Sequence, residues 1–191
     1  DIRTVGVVSL GCAKNKVDCE IMLKLLVDAG YELCNVYEEC DAIIINTCGF
    51  IKEAKEEALD NIFEAAAYKK AGLKKLIVTG CLAQRYAEEI KSLIPEVDAI
   101  ISVKGFDRIC EALESDITEI SVPLSEPHPE GERILTTDNY SVYLKIAEGC
   151  SNRCAYCAIP YIRGNFMPRT KENVLAEAKK LASEVFQTGL S

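Results

Sequence analysis

Apolar runs of strand length alternate with stretches of helical period through the first part of the chain. The runs are VGVVSL (5–10), YELCNV (31–36), DAIIINT (41–47), KLIVTG (75–80) and VDAIIS (97–102). Between them, Val17, Ile21, Leu25 and Leu26 recur on one helical face and stop at Gly30, which predicts a helix over 17–29. A longer amphipathic helix is predicted over 51–71, ended by Gly72, and shorter ones from Tyr86 to Leu93 and from Phe106 to Leu113. Strands alternating with helices in this way predict βαβ units and therefore an α/β fold on a parallel sheet.

The pattern changes at 116–139, which holds three of the six prolines and loses the helical period. That stretch reads as a linker. Beyond it lie one strand (140–149), a cysteine-rich loop and a helix from about Lys171 to Val185. The expected division is a first domain over 1–115, the linker over 116–139 and an incomplete second unit over 140–191.

Composition sharpens this. With 49% apolar and 27% charged residues the chain can bury a core and is not disordered. No run of eighteen apolar residues occurs and the start DIRTVGVVSL is not a secretory leader, so no membrane partner and a cytoplasmic location are expected. The net charge of -8 argues weakly against a chain that grips nucleic acid by neutralising phosphates. Ten cysteines scattered through aliphatic segments point to metal or redox chemistry rather than to a disulfide scaffold.

Three of those cysteines, Cys150, Cys154 and Cys157, lie in the stretch EGCSNRCAYCAIPYIRG. A four-iron cluster is normally held by four thiolates, so three leave one iron open to a small ligand. The competing reading is three ligands of a zinc site completed elsewhere, with His128 the single histidine. Three more, Cys12, Cys48 and Cys81, each end a predicted strand, where ligands of an open parallel sheet gather. They suit a second cluster, or else small thiols packed where strand meets helix. Cys19, Cys34, Cys40 and Cys110 carry no motif and read as packing residues. Arg153 and Arg163 read as solvent-exposed loop residues, each suited to a salt bridge or to a ligand contact.

The loop CSNRCAYC resembles that of the radical S-adenosylmethionine (SAM) enzymes, and SLGCAKNKVDCE, NTCGFI and TGCLAQRY are similar to the signature blocks of the methylthiotransferases within that superfamily. SLGCAKN, NTCGFI and KIAEGC look like the type that modifies an aspartate of small-subunit ribosomal protein S-twelve, with tRNA adenosine as the alternative substrate. The resemblance implies two 4Fe-4S clusters, an auxiliary one on Cys12, Cys48 and Cys81 and a radical SAM one on Cys150, Cys154 and Cys157. It places Tyr156 near the SAM adenine, with packing as the alternative role, and Asn15, Asn46, Thr47 and Gln84 beside the auxiliary ligands, with purely structural roles as the alternative. It further implies an external electron donor, a SAM-derived radical that removes hydrogen from the aspartate β-carbon, and transfer of a methylthio group to that carbon. Residues 140–191 correspond to the start of a partial (β/α) barrel whose later strands are absent, so the chain reads as truncated and inactive alone. No side chain stands out as a general base.

A reading of another class is a non-catalytic iron-sulfur or zinc module for binding or electron transfer. A flavodoxin-type nucleotide domain ranks behind both, because no phosphate-loop motif is present.

Overall fold

A computed structural model describes residues 1–137 and 141–188. Strands β1 (Thr4–Ser9), β2 (Glu32–Leu33), β3 (Ala42–Thr47), β4 (Lys75–Gly80), β5 (Ala99–Ile101) and β6 (Glu119–Ile120) form one sheet in the order β2-β1-β3-β4-β5-β6. All its pairings are parallel.

The continuous apolar run of β3 is explained by burial of all six of its residues, as in a sheet covered on both faces. Ile44 and Ile77 pack with residues of α1 (Ala13–Asp28) and α4 (Ile109–Glu114). Ile43, Ile45 and Val78 face the other way, against α2 (Lys52–Ala67) and α3 (Cys81–Leu93).

Register sets up the site. Ser9 pairs with Asn46, Asn46 with Thr79 and Thr47 with Gly80. Adjacent strands lie about 4.8 Å apart, so β1, β3 and β4 finish side by side at one height. The winding also reverses between β1 and β3, and such a switch point opens a crevice beyond the strand ends.

Four details differ from the sequence pattern. The run 31–36 yields only Glu32–Leu33, because the chain leaves the sheet after Cys34 donates to the Val5 carbonyl (3.0 Å) and turns through Tyr37–Glu39. Helix α3 begins at Cys81, and its earlier turn is concealed by a break at Tyr86 (φ -131, ψ 33). Residues 119 and 120, within the stretch read as a linker, form β6 against β5. Only Ala147–Glu148 of the strand predicted over 140–149 is a strand; Tyr140, with 138 and 139, lies outside the described residues.

The remaining elements are β7 (Ala147–Glu148), α5 (Ile159–Ile162), β8 (Met167–Pro168) and α6 (Lys171–Thr188), with β7 and β8 antiparallel. They dock on α1 through charged groups. Buried Glu20 pairs with Arg133 at 2.7 Å, and Arg133 continues to Glu177 of α6 at 3.0 Å. Lys14 donates to the Ala147 carbonyl at 2.9 Å. Among the described residues no helix is long and apolar enough to cross a membrane.

Candidate metal centre

Cys12 caps the start of α1 just beyond β1, Cys48 follows the last residue of β3, and Cys81 is the first residue of α3 after β4. The three strand ends therefore bring together thiols far apart in sequence. Glycines make the approach close enough. A side chain at Gly11 (φ +94) would meet the Cys48 Cβ at 2.6 Å, and one at Gly80 (φ +90) would meet the Asn46 Oδ1 and the Thr47 carbonyl at 2.5 Å. Cys48 and Cys81 are buried while Cys12 is exposed, so the group opens on one side.

The polar residues of the same blocks fasten these turns together. Asn15 donates to the carbonyls of Leu10 (3.0 Å) and Thr47 (2.8 Å), and Asn46 donates to the Asn15 carbonyl (2.8 Å). The Thr47 hydroxyl donates to Thr79 (2.6 Å) and accepts from the Leu82 amide (3.2 Å). Gln84 is elsewhere: its Oε1 accepts from the Val103 amide at 3.1 Å, tying α3 to the end of β5.

Cys150, Cys154 and Cys157 share a single loop between β7 and α5. The Cys150 amide donates to Gly164 (3.0 Å), and the Cys157 amide closes a turn on the Cys154 carbonyl (2.9 Å). Cys150 and Cys157 are half-buried and Cys154 is exposed. Tyr156 is 88% exposed. Arg153 is also exposed, with φ +48, and reaches Asn165 at 3.4 Å.

Arg163 overturns its expected exposure, being only 2% exposed. A guanidinium this deep must be paired, and it lies among Glu148 Oε2 (2.8 Å), Asp18 Oδ2 (3.3 Å) and the Asn15 amide oxygen. Lys145 bonds Asp18 as well, and the His128 imidazole stands 2.9 Å from Asp18 and 3.6 Å from Glu148. Burial alone would raise the Asp18 carboxyl, but Lys145, His128 and Arg163 hold it well below the usual carboxylate range. Burial works the same way on Glu148, and Arg163 foremost, with His128 and Lys145, brings it below its ordinary value. Arg163 in turn is held above its ordinary value despite burial, by Asp18, Cys81 and Glu148. Donor atoms of Asp18, His128 and Glu148 lie within 4.8 Å of one another, a spacing that suits a cation. The ammonium of Lys145 and the guanidinium of Arg163 already neutralise both carboxylates, so the cluster is a closed ion network.

The two cysteine groups offer the thiolate donors that iron-sulfur clusters use. Each has an exposed member; the fourth cysteine of the first group's blocks, Cys19, is buried in the core among Val17 and Ile21, and the loop has no fourth.

A profile of the family described as "Uncharacterized protein family UPF0004" matches residues 4–102, the region holding β1 to β5 and the three strand-end cysteines. The chain belongs to this family. Its UPF0004 region ends before the cysteine loop, but similarity to curated proteins continues through it. A protein of Acetivibrio thermocellus named Ribosomal protein uS12 methylthiotransferase RimO is 46% identical over 194 aligned positions, covering 95% of this chain and 43% of that protein. Proteins of the same name from Clostridioides difficile and Clostridium botulinum are each 49% identical, over 93% and 94% of this chain and 41% and 42% of theirs. The chain thus spans about two fifths of the length of these relatives. The methylthiotransferase resemblance read from SLGCAKN, NTCGFI and the cysteine loop is borne out by these matches.

Sequence reasoning missed the ion network. Its one visible trace was the acidic pair Asp18 and Glu20 inside the helix bearing Val17 and Ile21; both acids are buried.

Proposed function

We propose that this chain is the cluster-holding part of a radical SAM methylthiotransferase that adds a methylthio group to the β-carbon of an aspartate of ribosomal protein uS12. The observation that carries it is the side-by-side ending of β1, β3 and β4, which gathers Cys12, Cys48 and Cys81, joined through Arg163 to the loop of Cys150, Cys154 and Cys157. The names of the relatives favour the ribosomal protein over a tRNA adenosine.

On this reading the methylthiotransferase domain expected over 1–115 extends through β6 to Ile120, the rest of 116–139 connects it, and 140–191 begin a partial (β/α) barrel. Cys12, Cys48 and Cys81 would hold an auxiliary 4Fe-4S cluster, and Cys150, Cys154 and Cys157 a second whose open iron takes SAM. When bound, these groups supply the radical and sulfur chemistry that an unactivated C–H bond demands and side chains cannot provide. The chain's own residues bind and orient. The Asn15, Asn46 and Thr47 bonds fix the three strand-end thiols, and exposed Tyr156 is free to cover the adenine of SAM. An external donor would supply electrons, and the enzyme would work in the cytoplasm.

The test is anaerobic reconstitution of the chain and of two triple variants, one with Cys12, Cys48 and Cys81 and one with Cys150, Cys154 and Cys157 changed to alanine. Each variant is expected to lose about four irons and the matching sulfide. Bound zinc, with no iron at either set, would overturn the proposal in favour of a structural metal module.

A further inference from the structure

Arg163 lies six residues beyond Cys157 in sequence but projects out of its own loop into the first domain. Its guanidinium bonds the Asn15 amide oxygen, which also receives the Cys81 thiol at 3.7 Å. Arg163 and Cys81 thus meet on one shared oxygen.

The environment shows why this cation is fixed. Its remaining donors are taken by Asp18 of α1 and Glu148 of β7, both fully enclosed. Lys145 and Lys14 share the same carboxylates, the first with Asp18 and Glu148 and the second with Glu148. Arg163 is therefore clamped by three groups from two parts of the chain, with its positive charge beside the Asn15 oxygen that receives the Cys81 thiol.

We propose that Arg163 is a positioning residue for the auxiliary cluster: it fixes the Cys81 thiolate, sets that cluster's reduction potential, and couples its geometry to the loop of Cys150, Cys154 and Cys157. This rests on the assignment of Cys12, Cys48 and Cys81 as cluster ligands. A cation near a cluster sulfur stabilises the more negative reduced state and so raises the potential. A planar fork that bonds Asn15, Asp18 and Glu148 together is arginine's particular capacity, which lysine shares only in charge.

The test uses the chain with Cys150, Cys154 and Cys157 changed to alanine, so that only the auxiliary cluster remains, and compares Arg163 with R163K and R163Q. Iron is counted first, and the midpoint potential is then read by electron paramagnetic resonance during a redox titration. The expected order of potential is Arg163 highest, R163K lower and R163Q lowest, at equal iron. Where R163Q fails to fold or to hold iron, R163K decides by the same comparison: a lowered potential supports the role and an unchanged one overturns it. Equal potentials in all three at full iron overturn the proposal alone. A chain with Arg163 intact that binds no iron at Cys12, Cys48 and Cys81 overturns the ligand assignment and this proposal with it.

Discussion

The two cysteine groups are built in opposite ways. Cys12, Cys48 and Cys81 are distant in sequence and are brought together by three neighbouring strands whose register, glycines and amide bonds leave little freedom. Cys150, Cys154 and Cys157 are neighbours in sequence on a loop flanked by two-residue strands, with Cys154 and Tyr156 exposed. The first arrangement is a product of the fold and the second of a local motif. The difference suits their proposed tasks: one group holds its ligand in a fixed frame, and the other leaves room for a small molecule to enter.

The largest effect should come from the ion network that joins the groups. Asp18→Asn leaves Lys145 and Arg163 short of one buried carboxylate, and should cost about 3–5 kcal/mol in urea unfolding. Asp18 binds its proton more weakly folded than its ordinary value of 3.8, so acid favours the unfolded chain. Its contribution is complete above about pH 5 and is lost as pH falls below that ordinary value. The urea midpoint of the unaltered chain should fall with acid more steeply than that of the Asn variant, and parallel curves would contradict this.

The frame at the strand ends comes next. Gly80 has φ 90 and ψ -159, a region that is essentially glycine's own. Gly80→Ala should destabilise the chain by about 3 kcal/mol in the same assay and weaken iron retention at the first group more than at the loop. Equal iron loss at both would show that the frame does not act locally.

The smallest effect belongs to the loop. Tyr156→Ala removes a side chain that is 88% exposed and should change unfolding stability by no more than about 0.5 kcal/mol. A larger loss would show that the tyrosine packs and is not kept free for a ligand.

Legibility in sequence followed the same division. Whatever is periodic or contiguous could be read: the alternating runs gave the parallel sheet, strand-end placement singled out Cys12, Cys48 and Cys81, and the loop motif gave the other three. The two-residue β6 carries too few residues for a pattern, the run 31–36 that announced β2 overstated its length, and the break at Tyr86 interrupts the helical period of α3. Arg163 looked like a loop arginine because its partner Asp18 is 145 residues away. Only docking of the second region on α1 brings them together, and no local rule reports that.

The central claim is that the fold holds two separate clusters next to each other. The most direct measurement is electron paramagnetic resonance of the reconstituted, fully reduced chain beside the two triple-cysteine variants. The account predicts spin-spin broadening in the unaltered chain that is absent from each variant. A spectrum equal to the sum of the two variants' spectra would contradict it, since the clusters would then be present but apart.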